Sequence, residues 1–76
     1  MQIKLSDHAR SRIKERKISL ASVLSTVKNP EASEKSFKDR KLFRRKFRGK
    51  ILEVVVILEK DLYTVVTAYY LEEGKK

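Results

Sequence analysis

One histidine occurs in this 76-residue sequence, and two arginines follow it at intervals of four, as His8, Arg12 and Arg16. Positions four apart on a helix stack on one face, so the three side chains form a row. Leu5, Ala9 and Ile13 form the adjoining apolar stripe, which puts the row at the boundary between core and solvent. Three cationic or potentially cationic groups stacked in this way repel one another and cost helix stability unless an anion lies among them. A phosphate would supply that anion. Thr67 and Tyr69 make a second set, two apart in an extended segment where Val65, Thr67, Tyr69 and Leu71 alternate onto one face. Metal-free RNA cleavage needs a base for the 2′-hydroxyl proton, cations for the crowded phosphorane and an acid for the leaving 5′-oxygen. On that scheme His8 is the base or acid, Arg12 and Arg16 stabilise phosphate, and Thr67 and Tyr69 orient or relay protons. The plainer reading stays open beside it. His8 would then be a boundary residue at a helix start, Arg12 and Arg16 partners of Glu15, Glu53 or other carboxylates, and Thr67 and Tyr69 ordinary strand formers.

These residues need elements to carry them. The stretch 7–17 has a four-residue apolar period without Gly or Pro, and Ser6 or Asp7 can cap it, which predicts a first helix. A second follows over 19–28, with Ser19 as N-cap, Ile18 placed to staple against Val23, and Asn29-Pro30 as the stop. Residues 30–41 are polar and aperiodic and read as a long connection. From Leu42 the period becomes two. Strands are expected over about 42–48, 50–58 and 62–71, turning at Gly49 and at Glu59-Lys60-Asp61, and the apolar 51–58 segment reads as the central one. Ile3 and Leu5 alternate with Gln2 and Lys4, so a further short strand fits at the start. The fold class is α+β, with two N-terminal helices packed on one face of an antiparallel meander of three to four strands, in one domain over 1–76.

Composition narrows the function classes. The sequence has no cysteine, so neither disulfides nor thiolate metal sites support it, and a reducing cytoplasm is the expected compartment. A single histidine excludes a multi-histidine zinc site, and no cofactor is implied. Val54–Leu58 is the longest apolar run, far short of the roughly 20 residues of a membrane helix. The formal charge is +9, and it is regional. Residues 35–50 hold nine cations and one anion, while 51–73 hold Lys60 against five acids. Such a segment makes a directional field that attracts polyanions. Arg40, Lys41, Arg44, Arg45, Lys46, Arg48 and Lys50 are the candidate nucleic-acid contacts, with Arg44, Lys46 and Arg48 alternating onto one side. Phe43 and Phe47 alternate onto the other and read better as core than as base-stacking rings.

The segment His8-Ala9-Arg10-Ser11-Arg12-Ile13-Lys14-Glu15-Arg16-Lys17-Ile18-Ser19 resembles the His-x-x-x-Arg-x-x-x-Arg-Gly-Ile-Ser signature of a family of small uncharacterised bacterial and archaeal proteins, a domain of unknown function related to the BrnT toxins. Val65-Val66-Thr67-Ala68-Tyr69-Tyr70 resembles that family's closing strand, and the order of elements agrees along nearly the whole chain. Lys17 departs from the pattern, standing where Gly closes the helix in a left-handed conformation. The family is grouped with the barnase–EndoU–colicin–RelE ribonucleases. The resemblance implies a RelE/BrnT-like fold, a metal-independent endoribonuclease of the toxin–antitoxin type, RNA as substrate and an acidic antitoxin as protein partner. The alternative is a non-catalytic nucleic-acid binder or a protein-interaction module.

Overall fold

The computed structural model describes residues 2–72, without the side chain of Glu72, so Met1 and residues 73–76 of the expected 1–76 domain lie outside the described residues. Its elements run β1 (Gln2–Leu5), α1 (Asp7–Glu15), α2 (Leu20–Lys28), β2 (Ala32–Lys35), β3 (Arg40–Phe47), β4 (Lys50–Glu59) and β5 (Leu62–Glu72). They make an α+β fold of two helices and a five-stranded mixed sheet in the order β1-β5-β4-β3-β2. Strand β4, the most apolar, lies at the centre, where Leu52 to Val56 are all buried.

Both helices begin where a hydroxyl can replace a missing backbone partner. The Ser6 oxygen accepts from the Ala9 N–H at 3.0 Å, and the Ser19 oxygen accepts from the Ser22 N–H at 3.4 Å. Helix α1 ends in a Schellman motif without its usual glycine. The Ile18 N–H donates to the Ile13 carbonyl at 2.9 Å and the Lys17 N–H to the Lys14 carbonyl at 3.2 Å. Lys17 takes the left-handed conformation the turn demands, at φ 57°. The cost of that conformation for a residue with a Cβ, about 1–2 kcal/mol, is offset by Ile13 and Ile18 entering the core together. Helix α1 therefore closes two residues short of the expected 7–17 span, and the departure at Lys17 does not prevent the turn.

The apolar stripes of both helices meet one face of the sheet. Ala9, Ile13, Val23 and Val27 join Phe43, Leu52, Val54, Val56, Val65 and Ala68 in one cluster, and Phe43 meets Tyr63 edge to face at 5.4 Å.

Other expectations also need correction. The helices are not N-terminal to the sheet, because β1 precedes them and pairs parallel with β5, which makes the sheet mixed and not an antiparallel meander. The connection over 30–41 contains a strand, since β2 pairs antiparallel with β3, Ala32 opposite Arg44 and Lys35 opposite Lys41. All four β2 residues are exposed, so no apolar alternation marked it. Arg48 does not alternate with Arg44 and Lys46, because Phe47 already pairs with Lys50 and Arg48-Gly49 form the two-residue turn, both at positive φ (49° and 83°).

The last strand departs from alternation at one point, and the departure shapes the site. A bulge lies where Val55 pairs with Thr67 but Val56 pairs with Val65, leaving Val66 without a partner. Val65 and Ala68, three apart, are consequently both buried in the helix-covered core. Val65 does not share a face with Thr67 and Tyr69, contrary to strict alternation. The register puts Tyr69 opposite Glu53, which lies opposite Arg44, on the sheet face turned away from the helices.

Candidate nucleic-acid cleft

Strand β1 is only four residues long, so it covers β5 from Leu62 to Val65 and leaves the rest of that edge unpaired. The Ser6 N–H donates to the Val65 carbonyl at 3.1 Å as the chain leaves β1, and α1 then runs beside the exposed edge of β5. Arg16 takes up part of it, its Nη1 donating to the Ala68 carbonyl at 2.8 Å. Between helix and strand lies an open cleft of about 400 Å³ lined by His8, Arg12, Arg16, Arg40, Val66, Thr67 and Tyr69. Two segments almost sixty residues apart in sequence thus meet, and β3 adds Arg40.

Within the cleft the imidazole and the first guanidinium touch. Arg12 Nε lies 3.5 Å from His8 Nε2, the outer limit of a hydrogen bond in which the imidazole nitrogen accepts. Arg12 also pairs with Glu15 at 3.1 Å in an exposed contact, of the kind that contributes little to stability and that a phosphate can displace. Among the described residues, neither Arg16 nor Arg40 is in ion-pair contact with a carboxylate.

Tyr69 is held from behind. Its hydroxyl donates to Glu53 Oε2, while Glu53 Oε1 accepts from Arg44 Nε at 2.6 Å and Arg44 Nη2 reaches Glu34 at 2.9 Å. Glu53 is only 5% exposed, and these partners satisfy a carboxylate that would otherwise be costly to bury. The Tyr69 phenol is pushed up to about 12, first by burial and then by the hydrogen bond to Glu53 and its negative charge. Glu53 and Glu34 hold the Arg44 guanidinium more firmly protonated than usual, the hydrogen bond to Glu53 contributing most. Tyr69 therefore keeps its proton at neutral pH and presents its oxygen in a fixed orientation.

The structure gathers His8, Arg12, Arg16, Thr67 and Tyr69, with Arg40, at one place. It does not gather the other six basic residues there. Arg45 Nη1 donates to the Asn29 carbonyl at the end of α2 at 2.7 Å, a position where the helix dipole favours a cation. The Lys41 ammonium lies 5.9 Å over the Phe43 ring and the Lys50 ammonium 5.6 Å over Tyr70. Lys46 is exposed and its backbone N–H donates to Glu31 at 3.1 Å, while Arg48 sits at the β3–β4 turn. Glu53, expected as a candidate partner of Arg12 or Arg16, instead accepts from Tyr69 and Arg44. Its signal was visible as the one charge inside the apolar 51–58 segment. A second cavity of about 360 Å³, lined by Ile3, Val27, Lys28, Pro30, Phe43 and Tyr63, has no comparable group of ionisable side chains.

The architecture and the cleft together define a small basic α+β domain with a cationic groove between its first helix and its last strand. Residues 5–70 match the family described as Domain of unknown function (DUF4258), and the chain belongs to it. No curated protein and no solved structure matches the chain. Among the described residues, no helix is long and apolar enough to cross a membrane.

Proposed function

We propose that this protein binds RNA and cleaves it in the His8 cleft as a metal-independent endoribonuclease. The observation that carries the proposal is the meeting of one imidazole, three guanidiniums, a hydroxyl and a fixed phenol around one open cleft. His8 takes the proton of a ribose 2′-hydroxyl, and the 2′-oxygen bonds to the adjacent phosphorus. The P–O5′ bond breaks, leaving a 2′,3′-cyclic phosphate. Solvent water in the open cleft protonates the 5′-alkoxide, and the imidazolium returns its proton to the hydroxide so formed. Arg12, Arg16 and Arg40 neutralise the phosphorane as its charge grows. Tyr69, its proton held by Glu53, offers an oxygen lone pair to a hydrogen-bond donor of the neighbouring nucleotide, and Thr67 sits beside it to orient the sugar. The resemblance of the His8–Ser19 segment to the signature of a small family related to the BrnT toxins supports this reading and adds an acidic antitoxin as the partner expected to cover the cleft.

Cleavage of RNA by purified protein in the presence of a chelator tests it, with the termini identified. Wild type should yield 2′,3′-cyclic phosphate ends, and His8→Ala should lower the rate about 10²–10⁴-fold. Equal cleavage by wild type, His8→Ala and Arg12→Ala removes the assignment. One observation favours a binder without turnover instead, namely that Arg12 and Tyr69 already have carboxylate partners in the free protein. That reading predicts RNA affinity and no new termini.

A further inference from the structure

One aromatic ring stands outside every packing layer. Phe37 is 74% exposed, whereas Phe43 is buried in the core and Phe47 packs against it. It occupies the loop joining β2 to β3, which holds itself closed. The Ser36 N–H donates to the Arg40 carbonyl at 2.9 Å, and the Arg40 N–H to the Phe37 carbonyl at 3.3 Å. The Leu58 N–H reaches the Asp39 carbonyl at 3.5 Å, which tethers the loop to the end of β4. The ring is therefore displayed on a supported turn. Lys38, at φ 61°, lays its ammonium 5.6 Å over that ring. Lys35, Lys38, Arg40 and Lys41 lie within four residues of it in sequence, against Glu34 and Asp39.

A lone exposed aromatic needs no function by itself. Two further observations give this one a direction. Arg40, whose N–H is bonded to the Phe37 carbonyl, is also a wall of the His8 cleft, so the loop links ring and cleft within four residues. A ring with an ammonium over its face is also a poor seat for an apolar protein surface, which would have to desolvate that charge. It suits a strand that carries flat π faces and phosphates together.

We propose that Phe37 is a stacking platform for an unpaired base of RNA whose backbone passes from the β2–β3 loop into the His8 cleft. This inference rests on the RNA reading above and narrows it to single strands. The bases of a duplex already stack on one another and present no free face to the ring, whereas single-stranded sites are recognised by splaying bases onto aromatic side chains. Lys38 moves from the ring to a flanking phosphate as the base takes its place. Stacking is tolerant of base identity because every base has a π face, so Phe37 sets preference for strandedness and not for sequence.

The sequence contains no tryptophan, so Phe37→Trp installs a single fluorescent reporter. Labelled single-stranded RNA read by anisotropy reports binding, and tryptophan emission reports stacking. Emission should be quenched over the RNA concentrations at which anisotropy rises. Phe37→Ala, which removes no core packing, should bind single strands about 5- to 150-fold more weakly and duplex RNA unchanged. If wild type binds RNA, Phe37→Ala binds it equally and the tryptophan is not quenched, the stacking role is overturned while RNA binding stands. If wild type binds no RNA at low salt, the RNA reading fails and the stacking role with it.

Discussion

Two basic regions of this protein look alike in sequence and differ in space. The first is the His8–Arg12–Arg16 row on α1, and the second is the cation-rich β3. In the second, Arg44 lies between Glu53 and Glu34, Arg45 caps the end of α2, and Lys41 rests over Phe43. Those charges hold the fold together. In the first, Arg16 meets a carbonyl and no carboxylate, His8 is exposed, and Arg12 has only a solvent-facing partner. The comparison teaches that the cation count of a segment measures neither its field nor its availability. A guanidinium between two carboxylates adds little to the potential outside, while one bonded to a neutral carbonyl keeps its full charge.

The sharpest way to break this contrast is to remove Glu53. Glu53→Ala leaves Arg44 without its buried partner and the Tyr69 hydroxyl without its acceptor. Stability should fall by about 3 kcal/mol, the low end for a broken buried pair, because the Arg44 side chain is 30% exposed. Urea unfolding measures it, and a loss below about 1 kcal/mol would mean the array is not structural.

A pH titration probes the same array from its other end. The folded Tyr69 phenol is pushed up to about 12 from the 10.0 of a free tyrosine, so between these values the folded state holds a proton that the unfolded state has lost. The stability this contributes is complete below about pH 10 and disappears as pH rises through about 12. The unfolding midpoint of wild type should therefore drop more steeply across that window than that of Tyr69→Phe. Parallel curves would show that Glu53 does not hold the phenol proton.

Salt dependence separates the two regions on their availability to RNA. On single strands the slope of log affinity against log salt is about 0.7 per neutralised phosphate. Arg16→Ala should reduce that slope by about one such step, whereas Arg45→Ala should leave it unchanged and lower only stability. The reverse result would exchange the roles assigned to the two arginines. The smallest effect concerns the end of the helix that carries the row. Lys17→Gly relieves the left-handed residue at φ 57° and should raise stability by about 1 kcal/mol, with RNA cleavage unchanged.

Much of this arrangement was legible before the structure. The caps at Ser6 and Ser19, the stop at Asn29-Pro30, the central apolar strand and the turn at Gly49 follow from local chemistry, because each depends on residues within one turn or one strand. Strand β2 was not legible, since an edge strand exposed on both faces carries no apolar alternation and is held by its partner's backbone. The row of His8, Arg12 and Arg16 follows from helical spacing, and the pairing of Thr67 with Tyr69 from the period of a strand. Phe37 could not be assigned from its surroundings in sequence, because exposure is a property of the loop that displays it.

By itself, the sequence determined the helices, the helix-packed strands and the residue types available for chemistry on phosphates, since propensity, capping and hydrophobic period act over a few residues. Only the tertiary structure decided which cations line the cleft and which hold the fold. A short β1 that leaves the β5 edge open, a bulge at Val66 that sends Val65 to the core and Tyr69 to Glu53, and a β3 that starts with Arg40 at the cleft are all set by long-range strand register. The number of basic residues is a property of the chain. Their division into a site and a scaffold depends on which carboxylates and carbonyls the fold places within reach of each one.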